Sequence, residues 1–201
     1  MTPRLFKKRT KKTGLPPGSV VFIGEERLEK TNLKIINYDE THFLEKEVKT
    51  IEELLPYKDI PAVTWFNIEG LNRTDIIEKM GRYFNIHPLL LEDVVNTGQR
   101  PKLDDYGDYM FITFKMLQFD EKDSKIKSEQ VSLIISVNFV ISFQEDVGDV
   151  FNPIRDRIRN GKGLIRKMDA DYLAYSLIDA VVDNYFTILE KLGDKLELLE
   201  E

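Results

Sequence analysis

The sequence predicts an α/β protein: a layered domain whose mixed sheet contains an antiparallel meander, followed by a long projecting C-terminal helix. Three observations carry that expectation. Apolar residues alternate with period two from Tyr109 to Phe143, shorter runs with helical spacing flank them, and residues 169–201 contain no proline and a single glycine, Gly193. The chain has 201 residues, enough for one generous domain that buries its own core.

In chain order, residues 1–18 form a basic, Pro- and Gly-containing segment with no apolar stretch, which predicts a flexible tail and not a secretory signal. Residues 19–168 make up the α/β domain. Within it, Ser19 to Gly24 and Leu33 to Tyr38 are β-rich runs bounded by turn residues, so both are expected as strands. Phe43 to Leu55 is charged, carries apolar residues at near-helical spacing and stops at Pro56, which predicts one or two short helices. Val63 to Ile68 is a third strand. A helix follows, with Asp75 as cap and Ile77, Met80 and Phe84 on one face. Pro88 suits the first turn of a second, short helix, because its missing N–H would have had no partner there.

In the meander, Met110, Ile112, Phe114 and Met116 share a face, Val131, Leu133 and Ile135 repeat the pattern, and Phe139, Ile141 and Phe143 repeat it again. Asn152-Pro153 then opens a helix that Gly161 ends. Residues 169–201 place Leu173, Leu177, Val181, Phe186, Leu189, Leu192, Leu196 and Leu199 three to four apart. At 1.5 Å per residue such a helix would reach about 50 Å, beyond the span of a compact domain. It stops without a C-cap signal, so the expectation is a piece of something longer.

Charge and composition narrow the function. With 29 Lys and Arg against 35 Asp and Glu, the formal charge is −6, which disfavours nucleic acid as a partner and favours cations. Cysteine is absent, so zinc ribbons and thiol nucleophiles are excluded. No window approaches the ~18 apolar residues of a membrane span. Phosphate-loop, dinucleotide, nucleophile-elbow and HExxH signatures are missing, and the only histidines are His42 and His87.

The candidate site is acidic. Glu92 and Asp93 stand side by side in an otherwise apolar helix, Leu89 to Val95, and Asp171, Asp179 and Asp183 fall on one stripe of the long helix. From the pattern alone these acids are either solvated edges of amphipathic helices or metal ligands. Mg²⁺ keeps several waters and takes one or two carboxylates from any one segment, so acids converging from separate segments make its natural site. Two readings from other classes remain open at this point: a soluble Mg²⁺-dependent hydrolase using Glu92, Asp93 and Asp179, and an interaction domain whose acids are only solvated.

Seven strings occur in order: Gly14-Leu15-Pro16-Pro17-Gly18, Arg73-Thr74-Asp75, His87 to Asp93, Gln99-Arg100-Pro101-Lys102, Glu129 to Ile134, Gly148-Asp149-Val150-Phe151-Asn152-Pro153 and Asp171 to Asp179. Together they resemble the amino-terminal cytoplasmic domain of the CorA family of magnesium and cobalt transport proteins. That resemblance implies an α/β/α sandwich leading into long helices and, in the whole protein, a homopentamer anchored in the membrane by two spans absent from this chain. The family's Gly-Met-Asn pore signature is absent as well. By that resemblance, what remains would be the sensing part, on the cytoplasmic side of the membrane, with Mg²⁺ (or Co²⁺ or another divalent cation) between subunits expected to stabilise the closed pentamer. The family's metal positions map onto Glu92, Asp93 and Asp179. Asp183 is added from the helical stripe, and the family's remaining ligand falls beyond Glu201. A zinc or cobalt transporter of the same superfamily is the alternative. Neither an enzyme nor a nucleic-acid binder is implied.

Overall fold

A computed structural model describes residues 13–24, 31–121 and 124–200 of the chain. Seven strands form one sheet: β1 (Asn32–Tyr38), β2 (Phe43–Val48), β3 (Val63–Glu69), β4 (Lys102–Asp105), β5 (Met110–Asp120), β6 (Lys125–Ile135) and β7 (Phe139–Gln144). Their spatial order is β2-β1-β3-β7-β6-β5-β4. β3 and β7 pair in parallel, with Phe66 beside Ile141; the other neighbours are antiparallel. The sheet is therefore mixed, and β5, β6 and β7 make the expected meander.

Side chains alternate across the sheet and feed two cores. On one face Ile35, Phe66, Ile68, Phe111, Ile134, Ile141 and Phe143 pack against α1 (Thr74–Phe84) and α2 (Pro88–Val95). On the other, Ile36, Tyr38, Trp65, Met116, Val131, Leu133 and Val140 pack against α3 (Asn152–Asn160) and α4 (Ala170–Glu200). The result is the α/β/α sandwich. α1 presents Ile77, Met80 and Phe84 to the first core, and Phe84 meets Phe66 and Phe139 edge to face. Gly161, at φ 60°, ends α3 in the left-handed conformation that favours glycine.

α4 has 31 residues, a length of about 46 Å. Its first half lies on the sheet through Leu173, Ala174, Leu177 and Val181. Farther along it runs beside the long β5–β6 hairpin: Asn184 donates to the Leu117 carbonyl at 2.5 Å, Tyr185 donates to the Lys115 carbonyl, Lys191 pairs with Glu121, and Lys195 lies over the Phe119 ring. Leu196 and Leu199 beyond are exposed.

Two local expectations are corrected and one strand is added. Phe43–Val48 is an edge strand and not a helix, and only Ile51–Glu53 and Leu55–Tyr57 are short 3₁₀ turns. Asp39 Oδ1 accepts from the backbone N–H groups of Thr41 and His42, which turns the chain back on β1 and sets Tyr38 opposite Phe43. That pairing outweighs the helical spacing, and the exposed edge keeps its charges, Glu45, Lys46 and Glu47. Ser19 to Gly24 does not join the sheet; it makes one isolated bridge, Ile23 with Asn96, because the end of α2 offers it a backbone partner. Lys102–Asp105, unread in the sequence, is the opposite edge strand. The tail expectation for residues 1–12 lies outside the described residues.

Candidate functional site

α2 begins at His87, whose Nδ1 accepts from the Leu89 N–H at 3.2 Å, with Pro88 in its first turn. Leu90, Leu91, Val94 and Val95 are buried toward the sheet, so helical geometry turns Glu92 and Asp93 outward, half-buried at the rim. The far end of the helix is tied down. Gln130 on β6 donates to the Asp93 and Val94 carbonyls, and Ile23 donates to the Val95 carbonyl at 2.9 Å.

Each acid has partners. Glu92 Oε2 accepts the Gly18 N–H at 2.7 Å. Gly18 lies so close to α2 that a Cβ there would stand 3.0 Å from Pro88 Cβ, and its φ is +82°; both explain a glycine at that spot. Asp93 accepts from Gln99 Nε2 at 2.6 Å and from Lys102 Nζ at 2.7 Å. The same ammonium bonds Asp104 at 2.7 Å and lies over the Phe111 ring. Burial works against the charge on Lys102, but its hydrogen bonds to Asp104 and Asp93 prevail and hold it above the ordinary lysine range.

Asp179 and Asp183 are exposed on α4, and among the described residues no hydrogen bond or ion pair engages either carboxylate. Asp179 stands within an outward stripe with Tyr175, Val182, Phe186 and Leu189 at three-to-four spacing, and exposed Leu196 lies seven residues on; Phe186 and Leu189 are each 61% exposed. α2 covers one face of the sheet and α4 the other. The structure therefore brings Glu92 and Asp93 together and keeps both apart from Asp179 and Asp183 within one chain. Among the described residues no group of three or more His, Asp or Glu side chains forms a metal-holding cluster.

The donor set suits a hard cation. All four candidates offer carboxylate oxygens, and the Asp93 carboxylate already holds a cation in the form of the Lys102 ammonium. Neither Lys102, which closes the Gln99–Lys102 string, nor Asp104 stands out in the sequence as a site residue. The signal available was the Lys-x-Asp alternation at 102 and 104, which puts both side chains on one face of a strand, but nothing local points them at α2.

A mixed seven-stranded sheet sandwiched by helices, with acids on both outer layers and a long helix leading away, defines a layered α/β/α domain. Comparison with known proteins makes this specific. The family model described as CorA-like Mg²⁺ transporter protein matches residues 61–201, more than half of the chain, and the chain belongs to that family. It is 48% identical over 195 residues to a protein of Thermotoga maritima named cobalt/magnesium transport protein CorA, a match covering 97% of this chain and 55% of the relative. A putative metal ion transporter of Bacillus subtilis, YfjQ, is 28% identical over 142 residues, covering 70% and 43%. The chain thus spans about half the length of these relatives. Their names are those of metal-ion transporters and not of enzymes. In fold it resembles the soluble domain of CorA from Methanocaldococcus jannaschii, with a TM-score of 0.63 at 17% identity, covering 84% of this chain and 62% of that one. No described helix is long and apolar enough to cross a membrane.

Proposed function

We propose that the chain is the cytoplasmic, divalent-cation-sensing part of a homopentameric Mg²⁺ or Co²⁺ transporter, and that Mg²⁺ held at subunit boundaries stabilises the closed pentamer. The observation that carries this reading is the placement of the acids: Glu92 and Asp93 lie on one face of the sheet, Asp179 and Asp183 on the other. A single chain cannot bring them to one ion. A ring can, because each boundary apposes one face of a protomer to the opposite face of its neighbour. The exposed apolar stripe around Asp179 supports the same conclusion, since large apolar side chains at such spacing are normally covered by another element.

In this reading carboxylates facing each other across the boundary repel when bare and attract through a shared divalent cation, so occupancy selects one arrangement of the ring. At an ion concentration 100-fold above Kd each site would contribute about 2.7 kcal/mol to the bound arrangement. The test is Mg²⁺-dependent protection of the full-length protein from proteolysis, with NaCl at matched ionic strength as control. Protection should saturate with Mg²⁺ and weaken in Asp93→Asn and Asp179→Asn. Equal protection by NaCl would end the sensing reading.

A further inference from the structure

We propose that the Lys102 ammonium is a built-in competitor of the divalent cation, occupying the Asp93 carboxylate and so setting the concentration at which the site fills. The inference rests on the sensing reading above and adds the residue that regulates it.

The geometry is that of a cation already bound. Lys102 starts from the edge strand β4 and crosses to α2, where its Nζ sits 2.7 Å from Asp93 Oδ2 and 2.7 Å from Asp104 Oδ2. Two carboxylates from two elements thus grip one positive charge, at full charge-assisted hydrogen-bond length. The other Asp93 oxygen takes the Gln99 amide at 2.6 Å. Each oxygen of Asp93 thus already accepts one hydrogen bond, and the carboxylate's charge is already matched by the ammonium. The stem is also held, with Nζ 5.5 Å from the Phe111 ring centroid, so the ammonium is placed and not merely attracted.

Competition follows from this arrangement. An arriving divalent cation must either displace that ammonium or bind beside its positive charge, and either way its apparent affinity is lowered. With the charge removed, Asp93 and Asp104 face each other without neutralisation, and a divalent cation becomes the best available remedy.

The experiment is a calorimetric Mg²⁺ titration of the full-length protein, with proteolytic protection as a parallel readout. Lys102→Met keeps the length and packing of the stem but loses the charge; its Mg²⁺ midpoint is expected about 10-fold below that of the unchanged protein. Lys102→Gln, which keeps a polar head without the charge, should shift in the same direction and serves if the methionine variant does not fold. Lys102→Arg, which keeps the charge, should stay within about 2-fold of the unchanged protein. Midpoints that do not move in the Met and Gln variants, or that rise, would mean that Lys102 merely positions Asp93, and the proposal is overturned. No saturable Mg²⁺ binding in the unchanged protein would overturn the sensing reading itself, a separate outcome.

Discussion

Replacing Asp149 by alanine strands the Arg155 guanidinium in the interior. The two side chains are 2% and 6% exposed and joined by two parallel hydrogen bonds of 2.6 Å each. Arg155 also stacks 5.0 Å from the Trp65 ring, while Asp149 Oδ1 accepts the Phe151 N–H at 2.9 Å, just before α3. Truncating one partner of a buried pair costs about 3–5 kcal/mol, since the other charge stays dehydrated and unpaired. For a chain of this size each kcal/mol moves the melting temperature by about 2–4 °C, so Asp149→Ala should melt about 6–20 °C lower. The double variant Asp149→Leu/Arg155→Met buries no charge and should recover most of that loss. It would remain below the parent by the unpaired Phe151 N–H, about 1–3 kcal/mol. Thermal unfolding of the 201-residue chain followed by circular dichroism reads both. A fall of less than about 3 °C for Asp149→Ala would refute the reasoning, because the guanidinium would then have reached water. A double variant no more stable than the single one would refute the charge argument as well.

Two further outcomes follow from the surface. Arg159 hydrogen-bonds Glu45 at 2.6 and 2.7 Å and holds its carboxyl below the usual glutamate range, so the link between β2 and α3 is fully present above about pH 4.3 and is lost as the pH falls through the lowered value; Glu45→Gln should shrink the drop in urea midpoint between pH 5 and pH 3, and an unchanged drop would remove this pair from the acid response. Phe186→Asp, at a 61% exposed position, should leave the melting temperature of the 201-residue chain nearly unchanged yet shift the full-length protein toward smaller species in sedimentation, whereas unaltered sedimentation would show that the α4 stripe is not an interface.

The sandwich was legible where burial imposes a period. β5, β6 and β7 alternate because each has two distinct faces, and α1 and α4 keep their spacing because one side meets a core. The edges were not legible. β2 carries Glu45, Lys46 and Glu47 and β4 carries Lys102, Asp104 and Asp105, charges that protect open edges and erase the strand signal. Ser19 to Gly24 erred the other way: Ile23 pairs its backbone with the end of α2 while Phe22 and Ile23 are buried, a use of apolar residues that local pattern cannot tell from a strand. The acid pair on α2 stood out because two carboxylates interrupt an apolar octet. Lys102 did not, since its significance depends on a contact with Asp93 nine residues earlier, made only when β4 takes its place at the sheet edge.

The topology also bears on how affinity and assembly relate. β3 and β7 pair in parallel, so everything between them, α1, α2 and the β4–β6 strands, is one excursion from the sheet's centre, with both helices laid on one face. The chain leaves β7 for the opposite face, where α3 and α4 lie. Acids on α2 and α4 are therefore separated by the whole thickness of the sheet, and no local rearrangement short of unfolding would let one chain chelate with both. If both sets bind one cation, as proposed, binding and assembly are thermodynamically linked: the factor by which the cation favours the ring is the factor by which the ring raises affinity for the cation. A separate chain should then bind Mg²⁺ more weakly than the assembled protein by that same factor, which makes the difference between the two affinities a direct measure of what the cation contributes to closure.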